Sequence, residues 1–356
     1  MRKDYKVLGN YIKPVDIRNR DLSVTNLLGV SIAKKFIPSI ANIIGTDLSS
    51  YKIVKTGQFA YGPVTSRNGE KISIAYLDSE DCIISSSYSV FEVENTDELD
   101  PEYLMLWFSR PEFDRYARYK SHGSVREIFD WNELCMMELP VPNISKQREI
   151  VKAYKVITDR IELKKKINDN LDATAQALYQ ELFIENPDIS TWKQGVVGDV
   201  LQLQRGHDLP RTEMLGGKYP VAGSTGTIGY HNQYTAEVPV IVMGRSGNIG
   251  NPRLYLCNCW THNTSLYVKQ IFQVEPLWAF YLLKNLNYDG FVGGSAVPTL
   301  NRNDVHAYGI TIPPLELQKL FAEKVMKLIL NKEESLSEII KLQELQETVL
   351  ATMSSR

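Results

Sequence analysis

Two stretches place an arginine after an apolar run and inside a turn of small polar residues. The first contains Arg67 and Asn68, and the second contains Arg245, Ser246 and Asn248. Arginine is the usual bidentate partner of guanine and a common partner of phosphate. Small neighbours allow the backbone to come close to a phosphate. These residues are therefore candidate nucleic-acid contacts, although an arginine that ties a turn to its own domain would look the same.

A glycine-rich segment, Gly223-Ser224-Thr225-Gly226-Thr227-Ile228-Gly229, could also face a phosphate. It is not a P-loop, because no Lys-Ser or Lys-Thr pair follows the last glycine. A dinucleotide fingerprint is weak here, because no clear strand and helix flank the segment. A tight turn with no ligand is the favoured interpretation. A loop that faces DNA is the alternative, which the hydroxyl donors of Ser224 and Thr225 would suit.

Further basic side chains are candidate phosphate contacts, although scattered basic residues are most often simply solvated. They are Arg18, Lys34, Lys35, Arg205, His207 and Arg253. The formal net charge of the chain is -2, which argues against a strongly basic nucleic-acid binder. A DNA-binding surface needs only a local positive potential, so the charge does not exclude one.

Motifs for catalysis and cofactor binding are not found in the sequence. There is no Asn-Pro-Pro-Tyr or Asp-Pro-Pro-Tyr methyltransferase motif, no convincing S-adenosylmethionine loop, no Walker motif and no nuclease cluster. Cys257, Cys259 and His262 are three candidate zinc ligands without a fourth, so packing is favoured over a metal site. We expect a chain that is not an enzyme and that binds no cofactor or metal itself.

Cellular location is indicated by three features of the sequence. The four cysteines are too few and too scattered for a disulfide framework. No apolar run reaches the length of a membrane span, and the N-terminus does not resemble a signal peptide. We therefore expect a cytoplasmic protein without a membrane partner.

Two long helices are predicted at corresponding places in the chain. One covers residues 147–185 and the other residues 318–356, and each follows a proline-containing signal that ends in glutamine. Apolar residues recur at steps of three and four along both, which is typical of helices packed along their length. At 1.5 Å per residue each helix is roughly 55 Å long. The simplest way to bury both apolar stripes is to pack them against each other.

Short matches repeat in the same order through the two halves of the chain. The separation between matched residues shrinks from 189 to 171 along the chain. The matches pair Val7 with Val196, Val64 with Val242, Ser89 with Ser265, Trp107 with Trp278, and Gln147 with Gln318. This order predicts a tandem duplication. We expect globular domains at residues 1–145 and 188–313, and spacer helices at residues 146–187 and 314–356.

The duplicated pattern resembles the specificity subunits of type I restriction-modification systems along the whole chain. The resemblance is carried by the segments at residues 219–229, 244–250 and 299–301, the last leading into Ile312-Pro313-Pro314-Leu315-Glu316-Leu317-Gln318. It implies an α/β (α+β) fold with two target-recognition domains joined by two long antiparallel helices, a pseudo-two-fold coiled-coil spacer. The first domain departs from the pattern, because it lacks the Tyr-Pro-Val-x-Gly-Ser stretch and has residues 10–38 in its place.

The resemblance also implies a function and partners. Each domain would read one half of a split double-stranded DNA target. The helices would set the gap between the halves and dock modification (methyltransferase) subunits, and through them restriction subunits. S-adenosylmethionine and ATP with Mg²⁺ would be used by those partner subunits, and none of them by this chain.

The antiparallel arrangement predicts which helix charges meet. Lys164 and Lys165 would lie near Glu333, Glu334 and Glu338 and form cross-helix salt bridges. Exposed pairs of this kind contribute about 0–1 kcal/mol, so they would favour the register more than the stability.

Two other classes of function stay open from the residues alone. The duplicated domains could belong to a scaffold or adaptor that binds protein, which the mildly acidic charge supports. A DNA affinity that falls steeply with salt would exclude that class. The chain could also be a catalytic DNA-modifying enzyme, against which the absent motifs argue.

Overall fold

The chain forms two compact units in a computed structural model. The structure describes residues 5–39, 45–66, 68–122, 127–214, 216–288, 292–293 and 299–353. Unit 1 consists of residues 1–163 and 338–356, and unit 2 consists of residues 164–337. Within the described part of the chain, no helix is both long enough and apolar enough to cross a membrane.

Unit 1 is a mixture of short strands and helices. Its strands are β1 (Tyr5–Val7), β2 (Ile12–Val15), β3 (Leu28–Val30), β4 (Phe36–Pro38), β5 (Lys52–Val54), β6 (Phe59–Tyr61), β7 (Ile74–Tyr76), β8 (Cys82–Ile84), β9 (Ser89–Val93) and β10 (Glu138–Pro140). Its helices are α1 (Pro101–Phe108), α2 (Pro111–Tyr119), α3 (Trp131–Cys135) and the first part of α4 (Ile144–Tyr179), with 3-10 turns at Leu8–Asn10 and Leu48–Ser50.

An antiparallel sheet in the order β2-β9-β6-β7 forms the centre of unit 1. Phe59 and Phe91 stack across neighbouring strands with ring centroids 4.8 Å apart, and Phe108 of α1 meets both rings edge-on. Helix α1 begins where Pro101 follows Asp100, whose carboxylate accepts from two backbone N–H groups of the first turn. The helix therefore covers one face of the sheet and closes the core.

Unit 2 repeats this construction with additional strands. Its strands are β11 (Lys193–Val196), β12 (Leu201–Arg205), β13 (Tyr219–Gly223), β14 (Gly226–His231), β15 (Val240–Gly244), β16 (Gly250–Tyr255), β17 (Trp260–Thr261), β18 (Ser265–Ile271), β19 (Val292–Gly293), β20 (Thr299–Leu300) and β21 (Gly309–Ile312). Its helices are the rest of α4, then α5 (Val197–Val200), α6 (Pro276–Asn285), α7 (Arg302–His306) and most of α8 (Leu315–Thr352), with 3-10 turns at Ile189–Thr191 and Arg211–Glu213.

The central sheets of the two units have the same strand order. In unit 2 the order is β12-β18-β15-β16, which corresponds strand by strand to β2-β9-β6-β7. The pairing of β11 with β21 likewise corresponds to that of β1 with β10. Helix α6 begins at Pro276 as α1 begins at Pro101. The predicted duplication and the mixed α and β fold class are confirmed.

Helices α4 and α8 pack against each other in an antiparallel direction within unit 1. Ile157 and Ile161 form a buried cluster with Ile339. The Gln346 amide donates to Thr158 Oγ1 at 2.7 Å. Residues later in α4 thus pack against residues earlier in α8, as the predicted antiparallel register requires.

The same antiparallel packing continues within unit 2. Lys332 Nζ lies 2.5 Å from Asp172 Oδ2. Further along α4, Tyr179 and Phe183 pack on the fully buried ring of Phe321. Helix α4 ends in one turn of π-helix at Gln180–Ile184, which brings Phe183 into this core.

The ion pair of Arg160 with Glu338 has the predicted sense, with the basic residue on α4, whereas the pair of Lys332 with Asp172 has the reverse sense. Glu338 pairs with Arg160, four residues before the predicted Lys164. Pairing of Lys164 and Lys165 with Glu333 and Glu334 stays a prediction. Several apolar residues of the predicted stripe are less covered than expected, and their exposed fractions are 44% at Ile167, 40% at Leu336 and 48% at Leu345.

Candidate nucleic-acid interface

Three loops of unit 2 meet at one end of its central sheet. The first is the turn Ser224-Thr225 between β13 and β14, and the second is the segment at residues 245–249 between β15 and β16. The third leads from β17 into β18 and contains Thr264. The Asn248 amide donates to the Ser224 carbonyl at 3.1 Å, and the Ser224 N–H donates to Thr264 Oγ1 at 3.3 Å. The structure therefore joins the two predicted loops directly.

The loop after β15 is folded tightly because of a glycine at its base. A Cβ on Gly244 would overlap the Asn248 carbonyl oxygen, so no larger residue fits there. Gly247 has a φ of +77°, and the Asn248 N–H donates to the Ser246 carbonyl at 3.1 Å. Asn251 donates to Asn248 Oδ1 at 2.9 Å. These bonds fix the positions of Ser246 and Asn248, both half-buried.

Arg245 is held in place by its backbone and its side chain. Its N–H donates to the Thr264 carbonyl at 3.0 Å, and its carbonyl accepts from the Leu300 N–H at 2.8 Å. Its Nη1 donates to the Asn263 carbonyl at 3.3 Å. Arg245 is half-buried and lines a cavity of about 670 Å³ together with Arg205. The remaining lining residues are Leu266, Thr299, Leu300, Asn301, Arg302 and Asp304.

Arg205 lies at the end of β12 and pairs with an aspartate. Its Nη2 lies 3.0 Å from Asp208 Oδ1, and both side chains are at least half exposed. The Asn263 amide also donates to that carboxylate. The hydrogen bond from Asn263, aided by the charge of Arg205, holds the pKa of Asp208 below its usual value. Asp208 therefore stays ionised beside Arg205, and as an exposed anion it only partly offsets the field of the arginine.

His207 is positioned by packing more than by polar contacts. Its N–H donates to the Thr261 carbonyl at 2.7 Å. Its ring lies beside Trp260 and Tyr267, with centroid distances of 6.2 and 6.1 Å. His207 is half-buried, so its side chain packs against its neighbours and is also partly exposed to solvent.

Arg253 lies beneath the turn between β13 and β14. It is exposed on β16, and a Cβ on Gly226 would overlap its Nη1. Gly226 has a φ of +121°, a conformation that side chains rarely adopt. Glycine thus allows the guanidinium to contact the turn whose exposed tip is Thr225.

The predicted residues of unit 1 do not form a comparable group. Arg67 lies outside the described residues. The Asn68 amide donates to the Val64 carbonyl at 3.4 Å, a contact within its own turn. Lys35 is exposed. Arg18 is held by both oxygens of Asp16 and by the Ser50 carbonyl at 2.8 Å.

Lys34 is part of a buried ion pair. Its Nζ lies 2.6 Å from Asp114 Oδ1, with only 10% and 11% of the two side chains exposed. The ammonium also lies 5.1 Å from the centroid of the Phe113 ring. Burial lowers the pKa of Lys34, against the opposite effect of Asp114. A phosphate contact would require this pair to break, so we leave Lys34 out of the proposed surface.

Strand registers correct one sequence match between the halves. Tyr61 pairs with Ser89 in unit 1, whereas Gly244 pairs with Ser265 in unit 2. Gly244 therefore corresponds to Tyr61, and the match that aligned it with Ser66 was wrong by five residues. Arg245 follows Gly244, so its counterpart is Gly62, not Arg67.

Some residues of the cavity were not found by sequence reasoning. Arg302 is an isolated arginine in the sequence, and it reaches the cavity because Asn301 caps α7 directly before it. Thr299 forms a bridge with Ser246. The segment Thr299-Leu300-Asn301 is part of the family resemblance, and this resemblance is the feature of the sequence that could have indicated a functional role for it.

Metal-binding chemistry has no support in the geometry of the described chain. There, no group of three or more His, Cys, Asp or Glu side chains could hold a metal ion. Cys259 is fully buried, and burial raises the pKa of its thiol to about 12. Its burial agrees with the packing role that the sequence favoured, whereas Cys257 is exposed.

Comparison with protein families gives two matches along the chain. Residues 32–173 and 189–344 each match the profile described as the type I restriction modification DNA specificity domain. One curated relative is the type I restriction enzyme HindI specificity subunit of Haemophilus influenzae, 24% identical over 51% of this chain and 39% of that protein. Another is the MjaIX specificity subunit of Methanocaldococcus jannaschii, 26% identical over 32% of this chain and 30% of that protein. The matches thus span well under half the length of either relative.

Solved structures resemble this chain over nearly its whole length. The S subunit of a type I restriction-modification system from M. genitalium has a TM-score of 0.63 and 15% identity, covering 98% of this chain and 95% of that one. A chain from work on assembly and conformational transition of the type I R-M system has a TM-score of 0.50 and 16% identity, with coverages of 98% and 96%. These likenesses support the fold alone. Because the family profile matches most of the chain in two copies, the protein belongs to the type I restriction modification DNA specificity family.

Proposed function

We propose that this chain is the DNA-recognition subunit of a type I restriction-modification complex. The observation that carries the proposal is the repetition of one scaffold in two halves that each match a DNA specificity domain. Two similar DNA-binding units in one chain suit a target with two separate halves, just as dimeric DNA-binding proteins bind paired half-sites. Each unit would bind one half.

The loop end of the sheet in unit 2 is the proposed contact surface for its half. It presents Thr225 at the tip of a turn, Asn248 in the neighbouring loop and Arg253 beneath the turn. Hydroxyl, amide and guanidinium groups are the usual partners of base edges and phosphates. By strand correspondence, the matching end of the sheet in unit 1 would face the other half.

The long helices are the proposed docking surface for modification subunits. They expose apolar side chains that the helix pair leaves uncovered, as an interaction surface requires. These are Val156, Leu163, Ile167, Leu330 and Ile340. Methyl transfer and ATP use would then belong to the partner subunits, and this chain would recognise and align.

The test is methylome sequencing of a host that lacks this system and carries the chain with its cognate modification subunit. We expect a new methyladenine motif made of two short halves with a fixed gap. An Asn248→Ala variant should change only one half of that motif. Lys193→Ala, an exposed change on β11 away from these loops, is the matched control and should leave the motif intact.

A blank methylome with both subunits expressed and associated would contradict the DNA-reader proposal. In that case the protein-binding adaptor would become the better description. Methyl transfer by the isolated chain would instead contradict the assignment of chemistry to the partners.

A further inference from the structure

The cavity of unit 2 is lined by three arginines from separate parts of the chain. Arg205 comes from the end of β12, Arg245 follows β15, and Arg302 opens α7. Asp304 is the one carboxylate among the described residues that line it. The lining therefore carries an excess of positive charge inside a concave wall, where low-dielectric surroundings strengthen the field.

Among the described residues, the arginines use only some of their donors. A guanidinium has five N–H donors. Arg245 gives one to the Asn263 carbonyl, at a long 3.3 Å, and Arg205 gives one to Asp208. Arg245 is also fixed through both of its backbone groups. A half-buried and pre-positioned arginine loses little freedom when it binds an anion.

The number of arginines distinguishes a phosphate from a base. A guanine edge is read by one arginine through two acceptor atoms. Three arginines around one cavity exceed what a single base edge requires, but they suit the several oxygens of a phosphate. Thr299 and Asn301 line the same cavity, and neutral polar side chains of these types also donate hydrogen bonds to phosphates.

We propose that this cavity binds a backbone phosphate of the DNA, so that Arg245 contributes affinity and not base choice. The inference rests on the proposed function and assigns a role to one site within it. It also separates Arg245 from the loop residues Thr225 and Asn248, which stay candidates for base contact.

The two units differ at this place in the fold. The strand registers match Arg205 with Val15 and Arg245 with Gly62, and the starts of α7 and α3 match Arg302 with Trp131. None of these three counterparts is charged. The lining by these three arginines is therefore a feature of unit 2, and the salt dependence that it produces should come from the half of the target that unit 2 binds.

The experiment measures DNA affinity as a function of salt for the full chain assembled with its modification subunits. The probes are a duplex with the target identified by methylome sequencing and a duplex with the half bound by unit 2 scrambled. The variants are Arg245→Ala and, because it changes an exposed side chain, Arg302→Ala. Lys269→Ala is the control, since it removes one exposed positive charge of β18 outside the cavity.

Both arginine variants should bind the two duplexes more weakly by the same factor. We expect roughly 10- to 100-fold, the effect of one charged contact. The slope of log K against log salt should become shallower by about 1. The methylated motif should not change, and Lys269→Ala should have little effect on either quantity.

Two results would overturn the inference while leaving the proposed function intact. One is loss of discrimination between the duplexes with an unchanged salt slope, which would make Arg245 a base reader. The other is wild-type affinity in both variants at every salt concentration. Failure of the wild-type complex to bind either duplex would overturn the proposed function and the cavity's role together.

Discussion

Gln147 and Gln318 make the same hydrogen bonds at the starts of the two long helices. Each is buried, and each donates from Nε2 to the carbonyl of the proline five residues before it at 2.8 Å. Each also accepts at Oε1, at 2.9 Å, from the backbone N–H of the residue before α1 or α6, Asp100 and Glu275. One amide thus fastens a long helix to the short helix of its own unit.

Replacing either glutamine should destabilise its own unit. Gln318→Leu leaves the Glu275 N–H and the Pro313 carbonyl without this partner in a buried place. The cost is about 1–3 kcal/mol for each unsatisfied group. Denaturant unfolding should show a lower midpoint for Gln147→Leu and for Gln318→Leu. Gln343→Leu, an exposed change on α8, should not shift it. Equal effects of all three variants would contradict this role.

These glutamines also show what the sequence could predict. Their spacing from a proline marked both helix starts, and the ordered matches predicted the duplication and the fold. The alignment failed between Arg67 and Arg245, because local similarity of Val64 to Val242 ignored how β6 and β15 pair with their neighbours. Strand register depends on contacts between distant segments, which short sequence matches do not contain.

The site was predictable where its residues are close in the sequence. Ser224 and Asn248 were found because their glycine-rich turns are visible there, and the structure joins them by a hydrogen bond. Arg302 was missed because only folding brings it to the cavity. In the sequence Lys34 looks like a surface cation, because its partner Asp114 lies 80 residues away and only folding brings the two together.

Gly226 should be required for the position of Arg253. The methyl group of Gly226→Ala would overlap the guanidinium of Arg253. The alanine would also have to adopt an unfavourable φ of +121°. The strain alone costs about 1–3 kcal/mol. Gly216→Ala is the matched control, since Gly216 also has a positive φ, +99°, but nothing lies near its absent Cβ.

Both glycine variants should lose stability, but Gly226→Ala should in addition weaken DNA binding as Arg253→Ala does. The measurement is duplex affinity of the full complex beside the unfolding midpoint of each variant. If Gly226→Ala and Gly216→Ala reduced DNA affinity equally, contact between the turn and Arg253 would not be the cause.

The buried pair of Lys34 and Asp114 should stabilise unit 1 only as a pair. Asp114 also accepts from the Ile72 N–H at 3.1 Å. Asp114→Asn leaves a buried ammonium without its charged partner, and breaking such pairs costs about 3–5 kcal/mol. The double variant Lys34→Met with Asp114→Asn removes both charges and keeps an acceptor for Ile72, so it should be much more stable. Chemical unfolding of the single and double variants forms the test, and additive losses would contradict the pairing.

His306 should make the stability of unit 2 depend on pH. Its Nε2 accepts from the Leu203 N–H at 2.8 Å, which requires that nitrogen to be unprotonated. Burial, aided by the charge of Arg302, lowers the pKa of His306 from its usual value near 6.5. The unfolded chain therefore takes up the proton first as the pH falls through that value. Because the unfolded state then binds more protons, stability is full above this pH and is lost below it.

The variant that isolates this effect is His306→Gln. Its amide oxygen can still accept from Leu203, but it does not titrate. Urea unfolding at about pH 7.5, 6.5 and 5.5 should show the wild-type midpoint falling more steeply than that of the variant. The difference should vanish at the highest pH if the amide replaces the acceptor well. Parallel pH profiles would contradict a link between protonation of His306 and the stability of unit 2.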